Sequence, residues 1–540
     1  MSESNQKYIL AIDHGTSGVK TAIVSTQGTV IDWEFEEVPL HLVGKWGAEQ
    51  DPNDWWNGLI NTSKKLIEKE HVPVEDIVGV CNSSQWAGTV AVDNNGNHLM
   101  NSIIWMDTRG APYIKDMNKS LLKIQGYSLF KMLRWINITG GGPSRFGNDS
   151  ISHILWIKNE HPEVYKKTYK FLEPHDYVNL RLTGLFAASE ASIHSHWITD
   201  IRDINNIHYS KTLIKTLKVD SEKFPQLKKS IDILGPVKPE IANLLGLSKE
   251  TKVVMGAPDI HSAVIGSGAV GDYQGHIYIG TSSWLVCHVP YKKTDLTHIM
   301  ASVPSPIPGK YIFLNEQQIA GETLRFLRDK ILYHKDELLR EEEVPDVYKI
   351  FDKIAERTPA GSNKLIFTPW LFGERTPIDD LTLRGGLHNL SLDTTREHII
   401  RAIFEGVAYN LRWLFMYVEK NIKKWVRKER EGMTKNDLVI PELNIIGGGA
   451  QSNIWCQIFA DVLNRKIKQV KNPIQANARG AAYIASVALG FIDWNDIPKY
   501  TEISNIFTPN PENREIYDTL FKEYLNIYKL TRKMYKRLNE

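Results

Sequence analysis

Apolar and polar positions alternate in the first hundred residues in the pattern of a sheet that begins with hairpins. Tyr8–Ile12 and Lys20–Ser25 are apolar runs that predict buried strands, and Thr29–Glu36 alternates as a third strand does. The turn between the first two strands, Asp13–Gly18, contains two glycines and two hydroxyl residues. This order predicts a β-meander rather than the strand–loop–helix unit of a P-loop or dinucleotide-binding protein.

Helical patterns then alternate with strands. Asp51 and Pro52 begin an amphipathic stretch that predicts a helix. Ile77–Val80 and Thr89–Val92 predict two strands around the loop Ser84–Gly88. The alternation predicts a mixed α/β architecture.

The second half of the chain repeats the opening hairpin. A predicted strand, His276–Ile279, enters the turn Gly280–Ser282, and a second strand follows over Trp284–His288. Glycine leaves backbone N–H groups free to face an anion, and Thr and Ser hydroxyls add donors. One such turn is usually only a hairpin, but two of them about one domain apart suggest that two halves hold one polyphosphate.

The last third is helical with one further strand. A long amphipathic helix is predicted after Asp393, and a strand over Leu443–Ile446 enters Gly447–Gly449. Three glycines allow a flat ring to approach the backbone, although a tight strand-to-helix turn is the alternative. Ser452 is a candidate N-cap for the next helix.

The pattern over residues 514–538 predicts a docked C-terminal helix. Its apolar face comprises Tyr517, Leu520, Tyr524, Ile527 and Leu538.

Composition limits the class of protein. A chain of 540 residues is longer than one hydrophobic core usually supports, so two or more domains are expected. The net charge of +2 gives no reason to expect a nucleic-acid or membrane partner. The three cysteines are far apart and predict neither a disulfide framework nor a zinc site. The N-terminus lacks an apolar signal segment, so a cytoplasmic location is expected.

Asp259 is the strongest catalytic candidate. It follows the apolar run Val253–Met255 and lies among small residues that permit close approach. Phosphoryl transfer to an alcohol needs one carboxylate that accepts the hydroxyl proton. A helix cap or a solvated turn residue is the alternative.

Eight pieces of sequence, taken in order, resemble the FGGY carbohydrate kinases of the actin/hexokinase-like superfamily. The resemblance extends from about residue 8 to about residue 490. The pieces lie at residues 11–17, 46–52, 104–109, 174–184, 256–259, 280–282, 373–385 and 447–450.

The resemblance implies an α/β fold of two actin-like (ribonuclease H-like) domains with a cleft between them. Residues 1–262 would form the domain that binds the sugar and supplies the base. Residues 263–540 would bind ATP and end in a helical tail. Relatives are often dimers, so the resemblance leaves open whether this chain forms a homodimer.

The resemblance also implies roles for single residues. Asp259 would be the general base and Asp13 would help to hold Mg²⁺, in part through water. The residues implied to contact ATP are Thr16, Ser17, Gly280, Thr281, Gly321, Gly448, Gly449 and Asn453.

The implied substrate is a small sugar, and the predicted contacts are Gln85, Trp86, Asp107 and Arg109. Trp86 offers a flat apolar face to a sugar, or else packs in the core. Asp107 and Arg109 would bind hydroxyls, or else pair with each other.

The predicted substrate loop departs from the known subtypes. Trp86 and Ala87 match neither the xylulose nor the glycerol kinases, and Ile260 replaces an amide that relatives often carry after the base. Gln475–Asn477 replaces a segment that contains Glu in the family, and the sequence assigns no function to this change.

A ketopentose such as D-xylulose is the expected acceptor. Ribulose, another ketose or a polyol are the alternatives. Two other classes stay open: a non-catalytic sugar or nucleotide sensor, and an actin-like ATPase.

Overall fold

The computed structural model describes residues 6–124, 126–334, 346–429 and 438–539. Two large mixed sheets form its two halves, and helices lie between and around them. The strands of the first half are β1 Tyr8–Gly15, β2 Gly18–Ser25, β3 Val30–Glu37, β4 His41–Val43, β5 Gly47–Gln50, β6 Ile77–Ser84, β7 Val90–Val92, β8 Ser102–Ile103, β9 Lys123–Ile124, β10 Tyr127–Ser128, β11 Lys170–Leu172, β12 Ala187–Ser189, β13 Thr199–Asp200, β14 His208–Tyr209, β15 Gln226–Lys228, β16 Ile233–Pro236 and β17 Lys252–Val254. The strands of the second half are β18 Gly275–Ile279, β19 Ser283–Val289, β20 Thr294–Asp295, β21 Met300–Pro304, β22 Tyr311–Leu314, β23 Ile366–Thr368, β24 Gly386–His388, β25 Glu442–Ile446, β26 Lys466–Val470 and β27 Ile503–Phe507.

Sixteen α-helices are assigned in the described ranges. They are α1 Pro52–Glu68, α2 Ala111–Met117, α3 Leu129–Thr139, α4 Ser150–Glu160, α5 Pro162–Lys167, α6 Pro174–Thr183, α7 Lys211–Leu217, α8 Pro239–Leu245, α9 Asp259–Gly266, α10 Glu322–Phe326, α11 Tyr348–Arg357, α12 Arg396–Glu429, α13 Asn453–Leu463, α14 Ala476–Ala488, α15 Ile497–Tyr500 and α16 Arg514–Asn539.

The first sheet has six strands in the order β16-β17-β6-β1-β2-β3. β1 pairs antiparallel with β2, and β2 with β3, so the predicted meander is confirmed. β1 and β6 are parallel, and so are β6 and β17. The carboxyl ends of three strands therefore meet at one edge of the sheet.

The second sheet has eight strands in the order β20-β21-β22-β19-β18-β25-β26-β27. Its central part repeats the first sheet: an antiparallel meander of β18, β19 and β22, followed by the parallel strands β25 and β26. Both halves thus have the ribonuclease H-like strand order, which confirms the predicted pair of actin-like domains.

Two helices join the halves by an unusually close crossing. A Cβ atom on Gly266 of α9 would lie 1.8 Å from the Ala476 carbonyl oxygen of α14. A Cβ atom on Gly480 of α14 would lie 1.8 Å from the Ser262 carbonyl oxygen of α9. The helices pack within an apolar cluster that includes residues of both sheets, such as Ala11 and Val286.

Local predictions are confirmed at the helix ends. The Asp51 side chain caps α1 by accepting from the Asn53 N–H, and the Ser452 side chain caps α13 by accepting from the Trp455 N–H. The predicted long helix is α12.

One predicted position of the C-terminal helix is wrong, and the predicted domain division falls inside a helix. The C-terminal helix docks through Tyr517 and Tyr524, but Leu538 is 70% exposed, so its assignment to the apolar face is wrong. Tyr535 is buried and Asn539 Nδ2 donates to the Thr382 carbonyl oxygen, so the end of the helix stays docked while Leu538 points to solvent. The proposed domain division after residue 262 falls inside α9 and stays a prediction.

In the residues that the structure describes, none of the helices is both long and apolar enough to span a membrane.

Replacing Gly480 with alanine should destabilise the protein by about 1–3 kcal/mol, because the added methyl group would collide with helix backbone. Denaturant unfolding measures the change. Gly58 of α1 is the matched control, since a Cβ there would meet Val19 at an ordinary 3.4 Å. Gly58→Ala should keep or raise stability, and equal loss in both variants would contradict the close crossing.

Candidate active site

The site lies at the edge where parallel strands of the first sheet end. Asp13 is near the end of β1, Gln85 follows β6, and Asp259 follows β17 as the first residue of α9. The shared direction of these strands brings together three side chains that are far apart in sequence. The second half of the chain contributes the opposing residues.

Asp13 connects the two halves. Its Oδ2 lies 3.4 Å from Lys20 Nζ, and its Oδ1 accepts from Asn477 Nδ2 of α14 at 3.3 Å. Lys20 Nζ also donates to the Ile474 carbonyl oxygen at 3.1 Å. The Asp13 carboxylate is therefore held by groups from both halves.

Asp259 is half-buried and is suited to act as a base. Its Oδ1 accepts from the Ile260 N–H at 2.7 Å. Burial, and then the charges of Asp13 and Glu316, raise the pKa of Asp259 to about 7. A carboxyl with this pKa accepts a proton more readily at neutral pH than an ordinary aspartate.

Hydrogen bonds join Thr16 to Gln85. Thr16 Oγ1 donates to Gln85 Oε1 at 3.1 Å and accepts from Trp105 Nε1 at 2.9 Å. Gln85 Nε2 donates to Gln50 Oε1 at 2.8 Å, and Gln50 Nε2 donates to the Thr16 carbonyl oxygen at 2.8 Å. The predicted phosphate turn and sugar loop therefore form one network. Ser17 is exposed beside it.

Trp86 is half-buried and fixed in orientation. Its Nε1 donates to the Ser192 carbonyl oxygen at 2.8 Å, and its ring meets the edge of His261 with centroids 5.1 Å apart. The Gly88 N–H donates to Glu173 Oε2 at 3.0 Å. The loop is thus anchored, and the Trp86 side chain packs against the apolar cluster that surrounds α9 and α14.

The anchor Glu173 is fully buried, and Ser150 and Ser195 donate to its other oxygen. Burial raises the pKa of Glu173 to about 8.

Asp107 and Arg109 pair with each other. Asp107 is buried, and its oxygens accept from the Arg109 N–H and Nε at 2.8 Å and from the Ala48 N–H at 2.9 Å. Arg109 Nη2 also lies 2.6 Å from Glu49 Oε1. The alternative of mutual pairing is therefore present in the fold, while contact with a sugar stays a prediction.

The predicted nucleotide residues of the second half gather at the end of β18. The Gly321 N–H donates to the Gly280 carbonyl oxygen and the Ala320 N–H to that of Thr281, both at 2.8 Å. A Cβ on Gly449 would lie 2.4 Å from Ile279 Cγ2, so this glycine packs against the same strand end.

The neighbouring glycine and asparagine are more open. A Cβ on Gly448 would meet nothing within 4 Å. Asn453, the first residue of α13, is exposed and its Oδ1 accepts from Gln469 Nε2 at 3.0 Å. The backbone at Gly448 is thus accessible to a flat ring.

Several residues of the site were not identified from the sequence. Glu316 faces the first half, accepts a hydrogen bond from Arg375 Nη1, and influences Asp259 electrostatically. Trp105 and Arg375 lie in motifs that resemble the family, but the sequence assigned no role to either residue. Glu316 had no signal, because only the folded chain brings it close to Asp259. Asn477 lies in the segment Gln475–Asn477, which departs from the family, but the sequence assigned no role to this departure.

The donor set fits a hydrated cation. Among the described residues, no group of three His, Cys, Asp or Glu side chains is arranged to hold a metal ion. Mg²⁺ commonly keeps several waters and binds through one or two carboxylates and substrate phosphates. Asp13, held in place and partly accessible, is a donor of this kind.

Two ribonuclease H-like halves that meet at a pair of carboxylates define the actin/hexokinase-like class. The profile "FGGY family of carbohydrate kinases, N-terminal domain" matches residues 8–266, and the profile of the C-terminal domain of the same family matches residues 275–489. The chain belongs to the FGGY family of carbohydrate kinases. It is thus an enzyme of the predicted class, an ATP-dependent sugar kinase.

Similar proteins extend over nearly the whole chain. The xylulose kinase of Bacillus subtilis (strain 168) is 28% identical, with 97% of each chain covered. The gluconokinase of the same organism is 25% identical, covering 98% of this chain and 97% of that one. The crystal structure of gluconate kinase from Lactobacillus acidophilus superposes with a TM-score of 0.83 at 24% identity, over 99% of this chain and 100% of that one.

The raised pKa of Asp259 predicts the pH dependence of turnover. Below pH 7 the protonated carboxyl cannot accept a proton, so kcat/KM should rise between pH 5.5 and 7.5 with a midpoint near 7. Initial rates over this range measure it. A midpoint near 4 would contradict the assigned environment.

Thermal unfolding provides an independent check of the same pKa. Folded Asp259 keeps its proton up to about pH 7, whereas an ordinary aspartate loses it near 3.8, so this group lowers stability as pH rises between these values. The Tm of Asp259→Asn should therefore exceed that of the wild type by more at pH 8 than at pH 5.

Proposed function

We propose that this kinase transfers the γ-phosphoryl group of ATP to a hydroxyl of a neutral ketose, with D-xylulose or a similar ketopentose as acceptor and Asp259 as general base. The observation that carries the proposal is the position of Asp259. It begins the helix that packs against α14 of the second half, and its pKa is near neutrality.

Asp259 acts on the acceptor hydroxyl. Its carboxylate accepts the hydroxyl proton as the sugar oxygen forms its bond to phosphorus, and the bond from phosphorus to the ADP oxygen breaks. Asp259 is half-buried, so a sugar bound beside it would displace the remaining water.

Donors from both halves would hold the phosphates. Thr16 and Ser17 would face the transferred group, while Gly280 and Thr281 would bind the remaining phosphates through their turn. Mg²⁺, with Asp13 as its protein ligand, would supply charge neutralisation to those phosphates. Gly321 supports the turn through its contact with Gly280.

The adenosine would lie on the loop of the second half. The open backbone at Gly448 and the close packing of Gly449 leave a flat surface there. Asn453 at the start of α13 would provide a polar contact to the nucleoside.

Gln85 and Trp86 would bind the sugar, Gln85 through its amide and Trp86 through the C–H face of the chain. Contact of the sugar with Arg109 and Asp107 is also part of the proposal. The similarity to xylulose kinases favours a ketopentose.

A sugar acid is the second candidate, because gluconokinases are also among the relatives. The carboxylate of such a substrate would need a cation in the pocket. Arg109, the cation of the predicted sugar site, is already paired with Asp107 and Glu49 at 2.6 Å each. This pairing favours a neutral sugar.

A substrate panel tests the proposal. ADP release should depend on added sugar, and should be greatest with a pentulose among pentuloses, hexuloses, polyols and gluconate in a coupled assay with MgATP. Asp259→Asn should lower kcat by about 10²–10⁴-fold, since it removes the base but keeps the size of the side chain.

Other results of the panel would identify the alternatives. Phosphorylation of gluconate in preference to ketoses would support the second candidate. Binding without turnover of any sugar would indicate a sensor, and ADP release indifferent to sugar would indicate an actin-like ATPase. Full activity in Asp259→Asn would remove the assigned mechanism.

Trp86→Ala should raise KM for the sugar about 10-fold, because the loss of an apolar face costs about 1–1.5 kcal/mol of binding. The KM for ATP should stay the same. Trp494→Ala is the control, since Trp494 is half-buried like Trp86 but is not part of the predicted sugar loop. Equal sugar KM values in the wild type and Trp86→Ala would exclude Trp86 from the pocket.

A further inference from the structure

A closed ring of hydrogen bonds joins the Thr16 side chain to the sugar loop, residues 84–88. Thr16 Oγ1 donates to Gln85 Oε1 at 3.1 Å, and Gln85 Nε2 donates to Gln50 Oε1 at 2.8 Å. Gln50 Nε2 then donates back to the Thr16 carbonyl oxygen at 2.8 Å. Gln50 is fully buried and Gln85 is 3% exposed, so most of the ring lies inside the protein.

Two indole groups fix the direction of every hydrogen bond in this ring. Trp55 Nε1 lies 3.2 Å from Gln50 Oε1, and an indole N–H can only donate, so this Gln50 atom must be the oxygen. The nitrogen of Gln50 therefore faces the Thr16 carbonyl oxygen. Because Gln50 Oε1 can only accept, Gln85 presents its nitrogen to Gln50 and its oxygen to Thr16. The Thr16 hydroxyl is left to donate to Gln85, while it accepts from Trp105 Nε1 at 2.9 Å.

The hydroxyl of Thr16 is therefore already in use. A hydroxyl group has one proton to donate, and the Thr16 proton is given to Gln85. A hydrogen bond from Thr16 to a phosphate would break the ring and leave the buried Gln85 oxygen without this donor, which is unfavourable. The neighbouring Ser17 side chain is exposed, and within the ranges that the structure describes its hydroxyl has no hydrogen-bond partner. The two adjacent hydroxyls thus differ in what they can bind.

The ring fixes the residue that precedes Trp86. Besides its two side-chain hydrogen bonds, Gln85 donates from its N–H to the His14 carbonyl oxygen at 2.7 Å. Gln85 is thus attached to the turn Asp13–Gly18 through both its backbone and its side chain. Without the Thr16 hydroxyl the side-chain attachment to this turn is lost, and Trp86, the next residue, loses part of its support.

We propose that Thr16 is a positioning residue for the sugar loop: its hydroxyl orients Gln85, and through Gln85 the following Trp86, and does not bind the transferred phosphoryl group. The hydroxyl contact to that group comes from Ser17. The inference rests on the proposed function, in which the sugar loop binds the acceptor and the turn Asp13–Gly18 meets the γ-phosphate. It assigns different partners to two residues that the family resemblance treats as equivalent.

Steady-state kinetics of four variants tests the assignment, with MgATP and with D-xylulose or whichever acceptor of the substrate panel the enzyme prefers. Thr16→Val removes the hydroxyl and keeps the shape of the side chain, whereas Thr16→Ser keeps the hydroxyl. Ser17→Ala removes the neighbouring hydroxyl. Gln50→Met breaks the ring at a fully buried residue, out of reach of both substrates.

Thr16→Val should raise KM for the acceptor about 10-fold, the effect of losing one well-formed hydrogen bond, with kcat and KM for MgATP close to those of the wild type. Thr16→Ser should restore the acceptor KM, and Gln50→Met should raise it as Thr16→Val does. Ser17→Ala should show the opposite pattern, with kcat lowered about 10-fold or more and the acceptor KM unchanged. A purely structural threonine would not separate the two substrates in this way.

The proposal is overturned if Thr16→Val lowers kcat or raises KM for MgATP as Ser17→Ala does, or if its acceptor KM equals that of the wild type. Should Thr16→Val not fold, Gln50→Met decides the outcome by the same criteria. This result is separate from the proposed function. A wild type that phosphorylates no sugar refutes the proposed function, whereas an active kinase in which Thr16→Val behaves like Ser17→Ala refutes only the inference.

Discussion

The close crossing of α9 and α14 is the constraint on which the site depends. α9 carries Asp259 at its first residue, and α14 carries Asn477 at its start. Gly266 and Gly480 let the two helix backbones touch. The crossing therefore fixes the position of Asp259 relative to Asn477, which contacts Asp13. A side chain at either glycine would push the two helices apart, because its Cβ would overlap backbone atoms of the opposing helix.

Repetition of one strand order places this crossing between the two sheets. In each half an antiparallel meander is followed by parallel strands, and the hairpin turn Asp13–Gly18 corresponds in position to the turn Gly280–Ser282. Under the proposed function, these two turns, one from each half, would hold the same polyphosphate.

Much of the architecture could be predicted because it depends on local patterns. Asp51 and Ser452 cap their helices, and the meander strands follow apolar runs, since caps and alternation act over a few residues. Leu538 was misassigned because periodicity places it on the apolar stripe, whereas the end of the helix docks through Tyr535 and Asn539. Glu316 could not be found, and the departure at Gln475–Asn477 could not be given a role, because both depend on contacts across the two halves. The hydrogen-bond network of Gln50, Gln85 and Thr16 could not be predicted either, because its residues come from three separate parts of the sequence.

The buried carboxyl of Glu173 has a consequence for the alkaline range. With a pKa of about 8, it is mostly neutral at physiological pH while it holds the Gly88 N–H behind Trp86. Above this pH, Glu173 would carry a negative charge in the protein interior, where charge is costly. The loop that it anchors through the Gly88 N–H would then tend to move. Under the proposed mechanism, acidity would limit activity through Asp259 and alkalinity would limit it through the anchor behind Trp86, so two different parts of the fold would bound the working pH range.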